Sequence, residues 1–272
     1  MMILIYKCFD VLVFYSSDIR VNRYIRIYKY CPSLYRKMAA DKEKFKTMHN
    51  VFDEFTNRTL FKLITEGHFK GLESPICIGK ESNVFTAKTI DDERVIVKIY
   101  RLEACDFNEM YNYIKYDPRY GHIKKGKRNT VFVWVQREYR NLMLAREAGV
   151  SVPLPIKFVN NILLEEFIGS STHAAPKLKD QIPKNLQAFY DEVVVNMKKL
   201  HKIKLVHADL SAFNILNFKE KPIIIDMSQS TTLKHPQAWE FLQRDVRNVC
   251  NFFRKHGLKV EEQETLKKII AK

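Results

Sequence analysis

The sequence predicts an α+β fold of two lobes, the first rich in strands and the second in helices, with a ligand cleft between them. Three observations carry this expectation. Short strand-like runs separated by turn residues fill 75–100 and 156–168, whereas apolar positions at helical spacing dominate after residue 185. The chain has 272 residues, 46% of them hydrophobic, enough for one sizeable core or for two lobes sharing a cleft. No segment of about 20 to 50 residues repeats, which excludes solenoids and propellers.

Residues 1–37 are rich in Tyr, Ile and Arg and differ from the remainder. They are read as an extension, either an over-extended start or a poorly ordered terminus; a basic, aromatic arm that touches RNA is the competing reading. Lys7 and Asp10 interrupt the apolar start, and no cleavage site follows. Met38 opens a segment that reads as a natural beginning. The N-terminal lobe, with a helix before it, is assigned to 38–168, and the C-terminal lobe to 169–272.

Phe52, Phe55, Leu60, Leu63 and Ile64 form a helical stripe within 50–66, ended by Gly67 and Gly71. Strands are expected at 75–78, 84–88 and 94–100, with turns at Gly79-Lys80 and Asp91-Asp92. Residues 106–130 are polar, basic and aperiodic in their second half, and are read as a long mobile loop. A helix over 131–148 stops at Gly149 and Pro153. Residues 156–168 read as a hairpin turned at Asn160-Asn161, because Asn tolerates the positive φ that such turns need. A helix over 185–201, a loop at 207–214 and strands at 215–218 and 222–226 follow. The pattern closes with a helix over 236–256, Pro236 in its first turn and Gly257 past its end, and a last helix over 261–271.

Lys and Arg number 46 against 31 Asp and Glu, a net charge of +15. Such a surplus favours anionic partners, nucleic acid or ribonucleoprotein first and a membrane surface second; a merely solubilising surface is the alternative. The five cysteines are odd in number and none forms C-x-x-C, which argues against zinc and disulfide frameworks and for a reducing cytoplasm. No apolar run is long enough to span a bilayer, so no membrane partner is expected.

The strongest chemical signal is H-A-D-L-S-A-F-N at 207–214, followed by I-I-I-D ending at Asp226. Asp209 and Asn214 stand five positions apart, the separation of a catalytic Asp and a metal-binding Asn in protein kinases. A braced loop can aim the Asp at an attacking hydroxyl and the Asn oxygen at Mg²⁺, a hard ion that prefers oxygen. Asp226, at the end of an apolar strand, would add the second oxygen beside Asn214. Each residue alone is as well explained as a turn or strand-end residue; the joint spacing carries the functional reading. The second signal is V-I-V-K, ending at Lys98, which suits a lysine on nucleotide phosphates paired with a helix Glu. Glu138 is the candidate for that Glu, with Glu147 as its rival. The third, I-G-K-E-S-N-V-F at 78–85, has one glycine and is no Walker A loop; Lys80 and Ser82 lie in a turn whose N–H groups could cradle phosphate. The segment L-L-E-E-F-I-G at 163–169 precedes the second lobe, and the Glu166 carbonyl and Ile168 N–H are candidates for holding adenine.

These residues resemble the RIO family of atypical protein kinases, in particular its first subfamily, Rio-one. I-G-K-E-S-N-V-F is similar to that family's S-T-G-K-E-A-N-V-Y, H-A-D-L-S-A-F-N-I-L to H-A-D-L-S-E-Y-N-I-L, and I-I-I-D-M-S-Q-S to I-I-D-V-S-Q-S. The likeness also covers H-P-Q-A-W-E-F-L-Q-R-D at 235–245 and F-D-E-F-T-N-R-T-L at 52–60, and so runs from about residue 51 to 257. The resemblance implies a trimmed, two-lobed protein-kinase-like fold. It implies ATP as the nucleotide, with Mg²⁺ or Mn²⁺, and ATP hydrolysis or serine autophosphorylation coupled to maturation of the small ribosomal subunit. By position, Asp209 is the catalytic-loop aspartate, Asn214 and Asp226 bind metal, Lys98 binds phosphate and pairs with Glu138, and Lys80 and Ser82 fall in the phosphate loop. Asp226 would also be a nucleophile, because some members form a phosphoaspartate there. The pre-ribosomal small subunit and its rRNA are the implied partners, and DNA is not expected.

The sequence departs from the family in places. Glu165 stands where the family has a Met near the adenine pocket, so nucleotide affinity or specificity is expected to differ. Residues 106–130 contain no serine, only Thr130, which weakens the case for autophosphorylation there. The absence of a tail after Lys272 is more similar to archaeal members. Little chain follows Asp226, which favours a switch-like ATPase over a kinase with many peptide targets. Two other functions compete. A small-molecule kinase of aminoglycoside or choline type shares the catalytic loop but needs a large acceptor pocket, for which the same short segment leaves little room. A non-catalytic ribosome-binding scaffold would have no use for metal-ligating residues.

Overall fold

The computed structural model describes residues 6–8, 11–13, 52–120 and 126–271. The chain forms two compact units, Met1–Val51 and Phe52–Lys272. In the first, β1 (Tyr6–Cys8) and β2 (Val11–Val13) pair antiparallel, with Tyr6 opposite Val13. The remaining expectations for 1–37, the RNA-touching arm included, lie outside the described residues, as do those for 38–51.

In the second unit, Asp53 caps helix α1 (Glu54–Thr65) by accepting from the Thr56 N–H at 3.0 Å. Leu60 and Leu63 are its buried apolar residues. Thr56 and Thr59 accept from the amides of Asn161 and Asn160, which ties the helix to a hairpin a hundred residues away. That hairpin belongs to one antiparallel sheet made of β3 (Leu72–Ile78), β4 (Ser82–Lys88), β5 (Arg94–Tyr100), β6 (Pro155–Val159) and β7 (Ile162–Glu166). The strand order is β3-β4-β5-β7-β6. Asn160 turns the β6–β7 hairpin with φ +54°, as its sequence implied. Directly opposed residues share a face. Val84, Lys98 and Leu163 therefore form one row across the sheet, and Thr86, Ile96 and Glu165 the next.

The expected mobile loop at 106–130 is corrected by the structure. Its first half is helix α2 (Phe107–Lys115), followed by a 3₁₀ turn at Pro118–Tyr120. Asp106 caps α2 by accepting from the N–H groups of Asn108 and Glu109. Met110, Tyr113 and Ile114 supply a buried face at helical spacing, which the neighbouring Lys- and Gly-rich stretch obscures in the sequence. Helix α3 (Lys127–Glu147) starts four residues before the expected position, and Thr130 is buried in its first turn.

The C-terminal lobe is helical as expected. Asn185 caps α4 (Leu186–Lys202), accepting from Ala188 N–H at 3.0 Å. Strands β8 (Leu205–Val206) and β11 (Thr231–Thr232) pair, and β9 (Ile215–Phe218) and β10 (Lys221–Ile224) form a hairpin. Helices α5 (Ala238–Lys255) and α6 (Glu262–Ile270) close the chain. Strand β10 ends two residues before Asp226, which was expected to terminate it. Asp226 instead takes a left-handed backbone, φ +61°, and leaves the strand direction. Asp is among the few residues that tolerate this region. No helix among the described residues is long and apolar enough to cross a membrane.

A polar network crosses the lobes. Arg137 of α3 is fully buried and donates to the carbonyls of Ser228 at 2.8 Å and Ser230 at 2.6 Å. Asn141, one helical turn on, donates to the carbonyls of Met227 at 3.1 Å and Ser230 at 2.9 Å. Asp117, also fully buried, neutralises Arg137 at 3.1 Å and takes a two-pronged bond from Arg119. Tyr113 of α2 meanwhile stacks on His235 and Phe241 of the C-terminal lobe.

Two measurements of urea unfolding test this account. Met110→Ala is expected to lose about 2–5 kcal/mol, as for a packed core residue; a mobile loop would leave stability within about 0.5 kcal/mol. Asp117→Ala strands the Arg137 charge in the interior and is expected to lose about 3–5 kcal/mol. Adding Arg137→Met should restore part of that loss.

Candidate active site

Lys98 sits on the central strand β5, 5% exposed. Its Nζ lies 2.7 Å from Glu138 Oε1 and 2.9 Å from Asp226 Oδ1. These partners are 40 and 128 residues away in sequence. Glu138 is on α3, beside Arg137, so a single helical turn holds the lysine partner and grips the segment after Asp226. Tyr100, two residues on from Lys98 and on the same strand face, donates to the other Glu138 oxygen at 2.6 Å. Burial alone would lower Lys98; the charges of Asp226 and Glu138 outweigh it and hold the ammonium well above the ordinary lysine value. Burial would likewise raise Asp226, but Lys98 and the Ser228 hydroxyl keep its carboxyl well below the usual range.

The loop at 207–214 is braced by α5. Asp245 of α5 accepts from the N–H groups of Ala208 and Leu210, both at 2.8 Å, one on each oxygen. Burial pushes its carboxyl up to about 7, against the pull of these two bonds. Arg244 donates to the Ala208 carbonyl and Asn248 to that of Leu210. His207 is buried, and burial lowers its pKa. Its Nδ1 accepts from Asp209 N–H, so its Nε2–H donates to the Ile225 carbonyl at 3.1 Å, joining the loop to the residue before Asp226. The Asn214 amide donates to the Asp209 carboxylate at 3.0 Å and to its carbonyl at 2.8 Å. The Asn214 backbone carbonyl accepts from Ile225 N–H at 3.0 Å, which sets the two strands side by side. Burial and the charge of Asp226 both raise Asp209.

The structure therefore brings Lys98, Glu138 and Asp226 into one ion cluster and Asp209 and Asn214 into a second bonded pair. The rival Glu147 is exposed and makes no ion pair with Lys98. Lys80 is exposed and bonded to neither cluster. The turn that carries it is tight: Gly79 N–H donates to the Ser82 carbonyl at 2.9 Å, and a Cβ on Gly79 would stand 2.9 Å from that oxygen. Glu166 spends its side chain on Leu154 N–H and lies 3.6 Å from Arg146. The Ile168 carbonyl accepts from Ala175, whereas its N–H donates to no group among the described residues. Tyr100, Ser228, His207, Arg244 and Asp245 belong to the site yet were not singled out by the sequence. Tyr100 carries a local signal in its i+2 position from Lys98, and His207, Ser228, Arg244 and Asp245 stand within the motifs at 207–214, 223–230 and 235–245.

No three His, Cys, Asp or Glu side chains among the described residues converge on a metal position. Asn214 Oδ1 receives no donor, and Asp226, 39% exposed, has Lys98 and Ser228 on Oδ1 only, leaving Oδ2. Two free oxygens fit Mg²⁺, which is held by few protein ligands together with water and phosphate, better than a metal needing a full protein cage.

A family model described as RIO domain matches residues 83–266. The RIO-type serine/threonine-protein kinase Rio1 of Haloferax volcanii is 42% identical over 223 residues, 82% of this chain and 77% of that protein. Rio1 of Methanocaldococcus jannaschii is 37% identical over 244 residues, 88% of this chain and 83% of that one. The human serine/threonine-protein kinase RIO1 is 36% identical over 225 residues, with only 40% of its length covered. Among solved structures, the Rio2 kinase–ADP/Mg²⁺-phosphoaspartate complex from Chaetomium thermophilum superposes with a TM-score of 0.62 at 21% identity, over 80% of this chain and 67% of that one, a likeness of fold. The family model, the archaeal relatives and the shared fold agree: the chain belongs to the RIO family of atypical serine/threonine protein kinases.

Proposed function

We propose that this chain is a Mg²⁺-dependent ATPase and serine kinase that acts in the cytoplasm on the maturing small ribosomal subunit. The observation that carries the chemistry is Lys98 Nζ within 2.9 Å of both Glu138 and Asp226. A lysine held ionised beside the metal-facing carboxylate suits contact with nucleotide phosphates. Asn214 Oδ1 and Asp226 Oδ2 are the proposed ligands of the ion, which when bound neutralises charge on the phosphate oxygens. Mn²⁺ offers the same oxygen preference and is the alternative. The Glu166 carbonyl and the free Ile168 N–H hold adenine, and the turn containing Lys80 and Ser82 covers the phosphates.

Asp209 takes the proton of the attacking hydroxyl. Its raised pKa makes it a better proton acceptor than an ordinary aspartate, and the Asn214 amide fixes its orientation. Asp226, kept ionised by Lys98, serves also as acceptor of the phosphoryl group, a role the Rio2 complex suggests. The ribosomal part of the proposal is supported by the net charge of +15, which suits rRNA phosphates.

ATP turnover with and without immature small subunits tests the proposal. Asp209→Ala and Asp226→Asn are each expected to reduce turnover by about 10²–10⁴-fold while the folded state persists by circular dichroism. Removal of divalent ions by chelation should do the same to the wild type. Undiminished turnover in Asp226→Asn would rule out this site as the catalytic one.

A further inference from the structure

One carboxyl group on the sheet face of Lys98 has no bonded partner among the described residues. Glu165 lies opposite Ile96 on β5, in the row next to that of Lys98 and Leu163. Alternation along β5 and β7 puts Ile96, Lys98, Leu163 and Glu165 on one face of the sheet, the face that carries the ion cluster. The Glu165 side chain is half-buried and makes no hydrogen bond or ion pair among the described residues. Its acidic neighbours are engaged: Glu138 by Lys98 and Tyr100, Asp226 by Lys98 and Ser228, Glu166 by Leu154 N–H. Three residues past Glu165, the Ile168 N–H is also without an acceptor. An unbonded carboxyl and, three residues on, an unbonded N–H thus stand on the strand beside Lys98 and just past its end.

We infer that Glu165 is a specificity-determining residue, its carboxyl reading the 6-amino group and N7 of a bound adenine and thereby favouring 6-amino over 6-oxo purine nucleotides. The inference rests on the nucleotide-site reading above. Adenine presents a donor at its 6-amino group beside an acceptor at N7, the pair that an Asn or Gln amide reads with one acceptor and one donor. A carboxylic acid has the same two-sided pattern as a Gln amide, its C=O accepting and its O–H donating. Burial first, and then the negative charge of Glu138, push Glu165 up to about 8, toward the protonated acid that this pattern needs. Guanine offers two acceptors, O6 and N7, on the same edge and leaves the C=O of the acid without a donor. It also turns an N1–H toward the Ile168 N–H, donor against donor. A thioether or aliphatic side chain at this position could make neither contact.

Binding of ATP and GTP, each with Mg²⁺, to the full chain and to Glu165→Gln and Glu165→Met tests this by titration calorimetry. The wild type is expected to favour ATP by about tenfold or more. Glu165→Gln, which keeps the acceptor and the donor, should retain that preference, and Glu165→Met should bring the two nucleotides to near parity. Three results overturn the inference while leaving the nucleotide site standing: a wild type that binds both nucleotides equally, an unchanged preference in Glu165→Met, or a preference lost in Glu165→Gln. Failure of the wild type to bind either nucleotide overturns the nucleotide-site reading itself.

Discussion

A single buried ammonium organises this molecule. Lys98 Nζ is shared between Glu138 and Asp226, which are brought to it by a helix and by the end of a strand pair from the other lobe. Removing a charge from water is strongly unfavourable unless partners of opposite sign replace the lost hydration. The sheet can therefore bury Lys98 only when α3 and the segment from Asp226 are both in place. That requirement couples the two lobes at the point where their chemistry meets.

The coupling is stiff because α3 makes it more than once. Glu138 reaches forward to Lys98, while Arg137 and Asn141 hold the backbone carbonyls of 227–230 behind Asp226. A shift of α3 would disturb the lysine pair and the Asp226 carboxylate together. The loop at 207–214 is fixed by a separate brace, Asp245 with Arg244 and Asn248, on α5. Ala208 and Asp226 both hold left-handed backbones, at φ +68° and +61°. Such conformations are unfavourable for residues with a Cβ and persist where surrounding bonds determine them. Here those bonds come from Asp245, on the N–H of Ala208, and from Lys98 and Ser228, on the Asp226 carboxylate.

Much of this was legible in the sequence, and for a physical reason. The strands, the Asn-turned hairpin and the C-terminal helices follow from local periodicity and turn chemistry, which short windows record. The five-residue separation of Asp209 and Asn214 is also local, and the two side chains do bond to each other. Partnerships across the chain were less visible. Asp117, Arg137 and Ser228 show no common pattern, because their meeting depends on how α2, α3 and the segment after β10 pack. Helix α2 was read as loop because Lys and Gly residues just beyond it diluted the stripe of Met110, Tyr113 and Ile114. Asp226 was placed at a strand end, since nothing in I-I-I-D announces a left-handed residue. Glu165 was visible as an acidic residue where its family has a Met, but only the β5–β7 register put it on the face of Lys98.

On the proposed function, Asn214 and Asp226 share one ion beside a lysine that also meets the phosphates. A crystal structure with Mg²⁺ and a non-hydrolysable ATP analogue tests it most directly. The expected result is a metal at about 2.0–2.1 Å from Asn214 Oδ1 and from Asp226 Oδ2, with Lys98 Nζ in contact with phosphate oxygen. A metal held away from either residue, or a nucleotide whose phosphates lie out of reach of Lys98, would contradict it.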